Sequence, residues 1–319
     1  MNHQNDNVIH QYLNESEFQD RWQIQQQDTV DVLIPLIHTN YLWKKNLLSI
    51  YREIPVNRLL LGDGGCIDDS IVIAEQFPRV SVFDHRKIRS LGFSLRKLVE
   101  AVETEWFIYL HSDVYLPEGW FEAIKKCRKE IDWIESLQHF TVMVDYRLDY
   151  SKTRRPYSGA QMGRTDAFND VISTIDDDYL YRNEDIVIAK LVEKTGHRYS
   201  LASDIFHYHQ IMNNRTIRGR EIERVEVITE LSREEKMRTY EMQAKGLIKY
   251  LDPDKSTVMM VRDSLKILQE EDMLDWRDFA EWVKITNVKW LPFLTRIDRR
   301  PFRFRLRRFL LAARDLILG

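Results

Sequence analysis

Between residues 30 and 113 the chain alternates short apolar runs with helix-spaced stretches, and this alternation restricts the fold more than any other feature. Val30-Asp31-Val32-Leu33-Ile34-Pro35 reads as a buried strand closed by proline. Trp43 to Tyr51 has helical spacing, and Arg58 to Leu61 is a second strand ending in Gly62-Asp63-Gly64-Gly65. A helix over about 69–76, a strand at 80–83, a helix over about 94–102 and a strand at 106–110 follow, the last running into His111-Ser112-Asp113. Alternation at this short period requires right-handed crossovers and predicts an α/β fold with a Rossmann-like, mostly parallel sheet flanked by helices. Ligands bind such sheets beyond the carboxyl ends of the strands. Both polar clusters, 63–69 and 111–113, fall at strand ends of that kind.

Downstream, the alternation over 140–149 predicts another strand, and 151–163 reads as a loop leading to a helix near Asp166. A helix opens at Asn183-Glu184-Asp185 and closes at Gly196, and a strand returns over 199–209. From about residue 218 the sequence is charged and helix-periodic, with little glycine. The expected organisation is a polar segment over 1–28, an α/β domain over 29–215 and a helical C-terminal region over 216–319.

Composition removes several classes. The formal net charge of −3 gives no global basic field, which argues against nucleic acid as a partner. Cys66 and Cys127 lack metal-type spacing and read as reduced packing residues. No stretch reaches the ~18 apolar residues of a membrane span, and the first residues do not resemble a secretory signal. These readings predict a cytoplasmic protein, or one peripheral to the cytosolic face of a membrane.

Three clusters carry chemistry. In Gly62-Asp63-Gly64-Gly65-Cys66-Ile67-Asp68-Asp69 the glycines allow close backbone approach, and a carboxylate there can accept from a ribose or a nucleobase. The same residues would also serve as a βα turn with an Asp cap. They are not the dinucleotide fingerprint, because Ile67 stands where the third glycine belongs. In His111-Ser112-Asp113, Asp113 is the natural ligand for a divalent cation, or else a turn-capping acid. Glu184 and Asp185 either complement the dipole of their helix or act on a substrate. Strand spacing puts His207 and His209 on one face, where either one can reach a metal.

The order of these elements resembles the family 2 glycosyltransferases over roughly residues 30–210. The match runs from a first strand ending near Pro35, through the 62–65 turn and the 111–113 metal motif, to an acceptor-side loop at Ser158-Gly159-Ala160-Gln161. It continues with the pair Glu184-Asp185 and a later metal-side histidine. The resemblance implies a GT-A fold and inverting transfer of a sugar from a nucleotide diphosphate donor, such as a UDP-sugar, to a glycan or lipid-linked acceptor. It implies Mn²⁺ or Mg²⁺ held by Asp113 with His207 or His209, and donor contacts at Pro35, Asp63, Gly64, Arg89 and Ser112. Acceptor contacts fall at Ser158, Gly159 and Gln161, with Asp185 as general base and Glu184 orienting it or the acceptor. Two departures stand out: Gly62 replaces the first acid of the turn motif, and His111 replaces the first acid of the metal motif. They motivate an alternative, a catalytically silent sugar-nucleotide-binding scaffold. A nucleotidylyltransferase fits less well, since Leu36-Ile37-His38-Thr39-Asn40 lacks the glycine-rich basic loop of that class.

The C-terminal stretch 296–319 adds a further expectation. Seven arginines lie between Arg296 and Arg308 against Asp298 alone, and Phe302, Leu306, Phe309, Leu310, Ala313, Leu316 and Ile317 share one helical face. A basic amphipathic helix of this kind fits either an anionic membrane surface or a docking site on protein. The sequence leaves the oligomeric state open, a homo-oligomer included.

Overall fold

The computed structural model describes residues 18–37, 39, 42–88, 90–144, 147–155, 159–175, 184–210, 233–270 and 272–297. The chain divides into two compact units, residues 1–230 and 231–319. In the first, the described strands are β1 Val30–Leu36, β2 Val56–Asp63, β3 Val80–Asp84, β4 Trp106–Leu110, β5 Val114–Tyr115, β6 Trp133–Val144, β7 Arg147–Arg155, β8 Ala160–Arg164 and β9 Tyr199–Gln210. They form one sheet in the order β3-β2-β1-β4-β8-β6-β9-β5, with β7 paired to β6. Its helices are α1 Trp43–Glu53, α2 Ser70–Ala74, α3 Leu91–Val99, α4 Trp120–Lys126, α5 Thr165–Ser173 and α6 Glu184–Lys194.

Every residue of β1 is buried, as expected of a central strand covered on both faces. On one face Val32 and Ile34 share a core cluster with Trp43, Leu47 and Ile50 of α1 and with Trp120 and Phe121 of α4. The spacing of Trp43, Leu47, Ile50 and Tyr51 turns one side of α1 to that core. Burying each such side chain stabilises the fold by about 1.5–3 kcal/mol. Helix α3 starts earlier than its apolar spacing predicts because Ser90 caps it, Oγ accepting from the Phe93 N–H at 3.1 Å.

The pairs β1–β2, β2–β3 and β1–β4 are parallel, as the alternation predicts. The chain leaves β1 toward β2 on one side and returns to β4 on the other. The carboxyl ends of β1 and β4 therefore flank a topological switch point, where a crevice opens in sheets of this type.

Beyond β4 the structure corrects two expectations. The stretch read as a loop over 151–163 contains the end of β7 and most of β8, and β8 lies antiparallel between β4 and β6. Its residues, Ala160-Gln161-Met162-Gly163-Arg164, include no β-branched side chain, so sequence preference misses it. Gly163 is a close-approach position: a Cβ there would run into the ring of Trp133, which stacks on Phe168 and meets Phe107 edge-on. The expected strand at 140–149 instead covers parts of two antiparallel strands, β6 and β7. Strand β6 then pairs with β9 in parallel, with a register shift between Ser136 and Leu137.

The second unit contains α7 Arg233–Tyr250, α8 Lys255–Glu270, α9 Trp276–Thr286 and α10 Leu291–Ile297. Leu247, Val261, Leu265, Val283 and Trp290 are among its buried apolar residues. Trp290 donates from Nε1 to the Leu251 carbonyl at 2.8 Å, and Asp275 caps α9 through the Arg277 N–H at 2.9 Å. Among the described residues no helix is long and apolar enough to cross a membrane. The expected basic amphipathic helix falls almost wholly on residues 298–319, outside the described residues.

Candidate functional site

The site grows out of the end of β4. The His111 N–H donates to the Gly159 carbonyl at 2.8 Å, carrying the β4–β8 pairing one residue past the strand. Gly159 allows this packing, since a Cβ there would overlap the His111 ring. The chain then turns into β5, which pairs antiparallel with β9, Val114 facing His209. That register sets Asp113 beside His209, with Oδ2 and Nε2 3.0 Å apart. The His111 and His209 rings meet edge-on with centroids 5.6 Å apart. One donor atom each from His111, Asp113 and His209 lies within 4.8 Å of the others. Buried Asn46 on α1 fixes the intervening turn, donating from Nδ2 to the Ser112 carbonyl at 2.9 Å.

His207 does not join this group. It lies two residues before His209 on the same strand, their rings 6.3 Å apart, but it is fully buried and its Nδ1 is 2.7 Å from Ser136 Oγ. Alternation correctly gave both histidines one face. Position along the strand, which alternation does not fix, separates the one beside Asp113 from the one in the core. His111, read from the sequence only as a departure, is the third member.

The acid pair opens α6, and both carboxylates are buried. Tyr109 donates its hydroxyl to Glu184 Oε1 at 2.6 Å, and His111 Nε2 lies 3.0 Å from that hydroxyl and 3.4 Å from the same carboxylate oxygen. Burial pushes Glu184 up, but His111 and Tyr109 outweigh it and hold the carboxyl below its ordinary range. Burial likewise opposes a charge on His111, yet Glu184 lifts the imidazole to about 9, so the two form an ion pair. Asp185 is raised to about 6, first by burial and then by the negative charge of Glu184. Its Oδ1 accepts from the Ile186 N–H at 2.8 Å. Burial raises Asp113 as well, but His209 and then His111 outweigh that and lower it.

On the β1–β2 side, Pro35 and Gly62 are register partners in adjoining strands, as are Leu36 and Asp63. Asp63 Oδ1 accepts from the N–H groups of Gly65 and Cys66 at 2.9 and 2.8 Å, so this carboxylate shapes its own turn. Burial raises Asp63, and the bonds from Cys66 and Gly65 together with the charge of Arg86 more than offset it. The Gly64 N–H donates to the Leu36 carbonyl at 2.8 Å. The space an acid would need at position 62 is taken: a Cβ there would lie 2.5 Å from His85 Nδ1 and 2.6 Å from Ser94 Oγ, themselves 2.6 Å apart. Of the residues expected on the acceptor side, Gly159 packs on His111, and Gln161 is fully buried within β8 with no hydrogen-bond partner for its amide among the described residues. Arg89 and Ser158 lie outside the described residues. Cys66 and Cys127 are free thiols.

The donor set fits a divalent cation. Two imidazoles and one carboxylate converge from a turn and a strand, and a second side chain, Asn46, holds the turn in place. Such a set suits Mn²⁺ and other first-row ions better than Mg²⁺, which prefers oxygen ligands throughout. His111 must release its proton to bind a metal. Sequence reasoning missed Tyr109 and Asn46. A polar side chain interrupting an apolar strand, as Tyr109 does in Trp106-Phe107-Ile108-Tyr109-Leu110, was the available signal for the first.

The sequence matches no protein-family model, and no curated protein matches it either. Solved structures do resemble the fold. S. aureus TarS, residues 1–349 in complex with UDP-GlcNAc, aligns over 80% of this chain and 78% of that one, with 13% identity and a TM-score of 0.50. GalNAc-T7, crystallised with UDP, GalNAc and Mn²⁺, aligns over 57% of this chain at 13% identity and a TM-score of 0.48, and the aligned part spans 44% of its length. At such identity the likeness speaks for architecture. The chain has the GT-A fold, with a helical C-terminal region.

Proposed function

We propose that this chain is a metal-dependent glycosyltransferase that moves a sugar from a nucleotide diphosphate donor, a UDP-sugar, to an acceptor hydroxyl with inversion. The observation that carries the reading is the pairing of two groups at the β4 end of a GT-A sheet. One is the His111–Asp113–His209 cluster, and the other is the buried acid pair Glu184–Asp185, bonded to that cluster's own histidine. Such a cation supplies positive charge to the leaving diphosphate. His111, Asp113 and His209 would hold it, with Mn²⁺ preferred over Mg²⁺.

Asp185 is the general base in this reading. With its pKa raised to about 6 it is mainly ionised at neutral pH, yet basic enough to take a proton from a hydroxyl. Glu184 has one oxygen engaged by Tyr109 and His111, which suits an orienting anion better than a proton acceptor. Pro35, Asp63, Gly64 and Ser112 line the donor side, with Arg89 a further donor contact, and Ser158, Gly159 and Gln161 belong to the acceptor side. A relationship to family 2, a glycan or lipid-linked acceptor, and work at the cytosolic face of a membrane through 296–319 complete the proposal.

The rival is a non-catalytic sugar-nucleotide-binding protein, and the filled space at Gly62 favours it. The discriminating experiment screens nucleotide sugars by thermal shift with Mn²⁺, with Mg²⁺ and with EDTA, then measures turnover of the donor that binds. Ligand binding stabilises the native state by mass action. Metal-dependent stabilisation by one donor followed by its turnover supports the transferase. Stabilisation without hydrolysis or transfer supports the binding protein, and no stabilisation by any nucleotide sugar overturns both.

A further inference from the structure

We propose that Tyr109 is a positioning residue for the acid pair, tethering Glu184 to strand β4 so that Asp185 is the acid left to meet the acceptor. The inference rests on the transferase reading above. Three observations carry it. First, the Tyr109 side chain is fully buried in a central strand, where phenylalanine would fill nearly the same volume. Its hydroxyl is therefore surplus to packing, and a buried hydroxyl requires a partner. Second, that partner is Glu184 Oε1, at 2.6 Å, in the first turn of α6. Third, His111, one residue past the end of β4, lies against the same oxygen and the same hydroxyl, so one carboxylate oxygen is held by Tyr109 and by the turn that follows its strand.

The tether has a chemical consequence. A carboxylate oxygen already engaged by a phenol and an imidazole has its acceptor sites taken up by the strand and its turn. Its neighbour Asp185 has Oδ1 on the Ile186 N–H of its own helix and, among the described residues, makes no such bond to the sheet. The tether also links acceptor-side chemistry to the metal-side strand, because His111 belongs to both groups.

The test combines Tyr109→Phe, Glu184→Gln and the double variant, assayed at saturating donor and Mn²⁺. Tyr109→Phe is expected to lower kcat ~10-fold, the scale of one lost bond to a charged group. Donor KM and the Mn²⁺ binding isotherm should stay within about twofold of the parent. If Tyr109 acts through Glu184, the double variant is no slower than Glu184→Gln alone, since residues acting as a unit are non-additive. Unchanged kcat, multiplicative losses, or a loss of Mn²⁺ affinity in place of kcat would each overturn the proposal.

A crystal structure of Tyr109→Phe supplies a readout independent of turnover. A displaced Glu184 carboxylate supports the tether, and one that keeps its position beside His111 overturns it. Should the parent turn over no nucleotide sugar, the transferase reading fails by itself, and the Glu184 position still decides the role of Tyr109. Should Tyr109→Phe fail to fold, Glu184→Gln crystallised in the parent background answers the same question. An amide that has left the Tyr109 hydroxyl supports a charge-dependent tether, and one that stays while kcat is unchanged overturns it.

Discussion

Replacing Asp185 with asparagine is expected to slow transfer and stabilise the protein together. The folded pKa of Asp185 is raised from 3.8 to about 6, by burial and by the charge of Glu184. A gap of about two units at 1.36 kcal/mol each amounts to ~3 kcal/mol withheld from folding once the carboxyl is ionised. The sign follows from proton uptake. Between about pH 4 and 6 the native state holds a proton that the unfolded chain has released, so stability falls as pH rises through that window. Above it the full deficit remains. Asparagine keeps the acceptor for the Ile186 N–H and carries no charge, so Asp185→Asn should exceed the parent by ~1–3 kcal/mol at pH 8. In a unit of about 230 residues that corresponds to ~2–10 °C in Tm. The margin should shrink to about a third by pH 4.5. Glu184, His111 and His209 face Asp185 in both proteins, and the difference between the two curves removes most of their contribution. The assay is thermal unfolding in EDTA from pH 4.5 to 8, beside turnover with Mn²⁺, which should drop ~10²-fold or more. A variant less stable than its parent at pH 8, or more stable by the same margin at every pH, refutes the reasoning.

Other outcomes follow from the same geometry. Asp113→Asn should weaken Mn²⁺ binding by at least ~10-fold in calorimetry and remove the metal dependence of donor binding; equal donor affinity with EDTA and with Mn²⁺ in the parent would count against the metal assignment. Gly159→Ala drives a methyl group into the His111 ring, and should lose ~1–3 kcal/mol of stability by chemical denaturation together with Mn²⁺ affinity. Removing residues 296–319 should abolish binding to anionic vesicles, weakened by salt in the full chain, while leaving UDP-sugar binding unchanged. A full-length chain that ignores such vesicles at low salt rules out the membrane reading.

The parallel half of the sheet was legible because β1, β2 and β4 are covered on both faces and so appear as continuous apolar runs. The antiparallel half was harder to read, since β8 owes its place to the rings of Trp133 and His111 seated over Gly163 and Gly159. Those contacts are tertiary and leave no local pattern. In the site, Asp113, Glu184 and Asp185 could be found because acids at strand and helix ends are conspicuous. His111 looked like damage to a metal motif, and only the pairing of β5 with β9 reveals that it and His209 flank Asp113. His207 and His209 have the same period, so no sequence rule tells them apart.

The filled glycine positions constrain how this site can be rebuilt. Restoring an acid at position 62 meets His85 and Ser94, and adding any side chain at 159 meets His111. Each change is therefore harmful or tolerated according to what stands at the second position. Shortening both His85 and Ser94 before introducing Gly62→Asp opens a route that the reverse order closes, and because the Cβ and Cγ of residue 111 also crowd position 159, only a residue at 111 without them makes room for a side chain there. Single-substitution scans would score these glycines as unfavourable to change, whereas paired libraries would recover them. The ruggedness lies in the order of the steps.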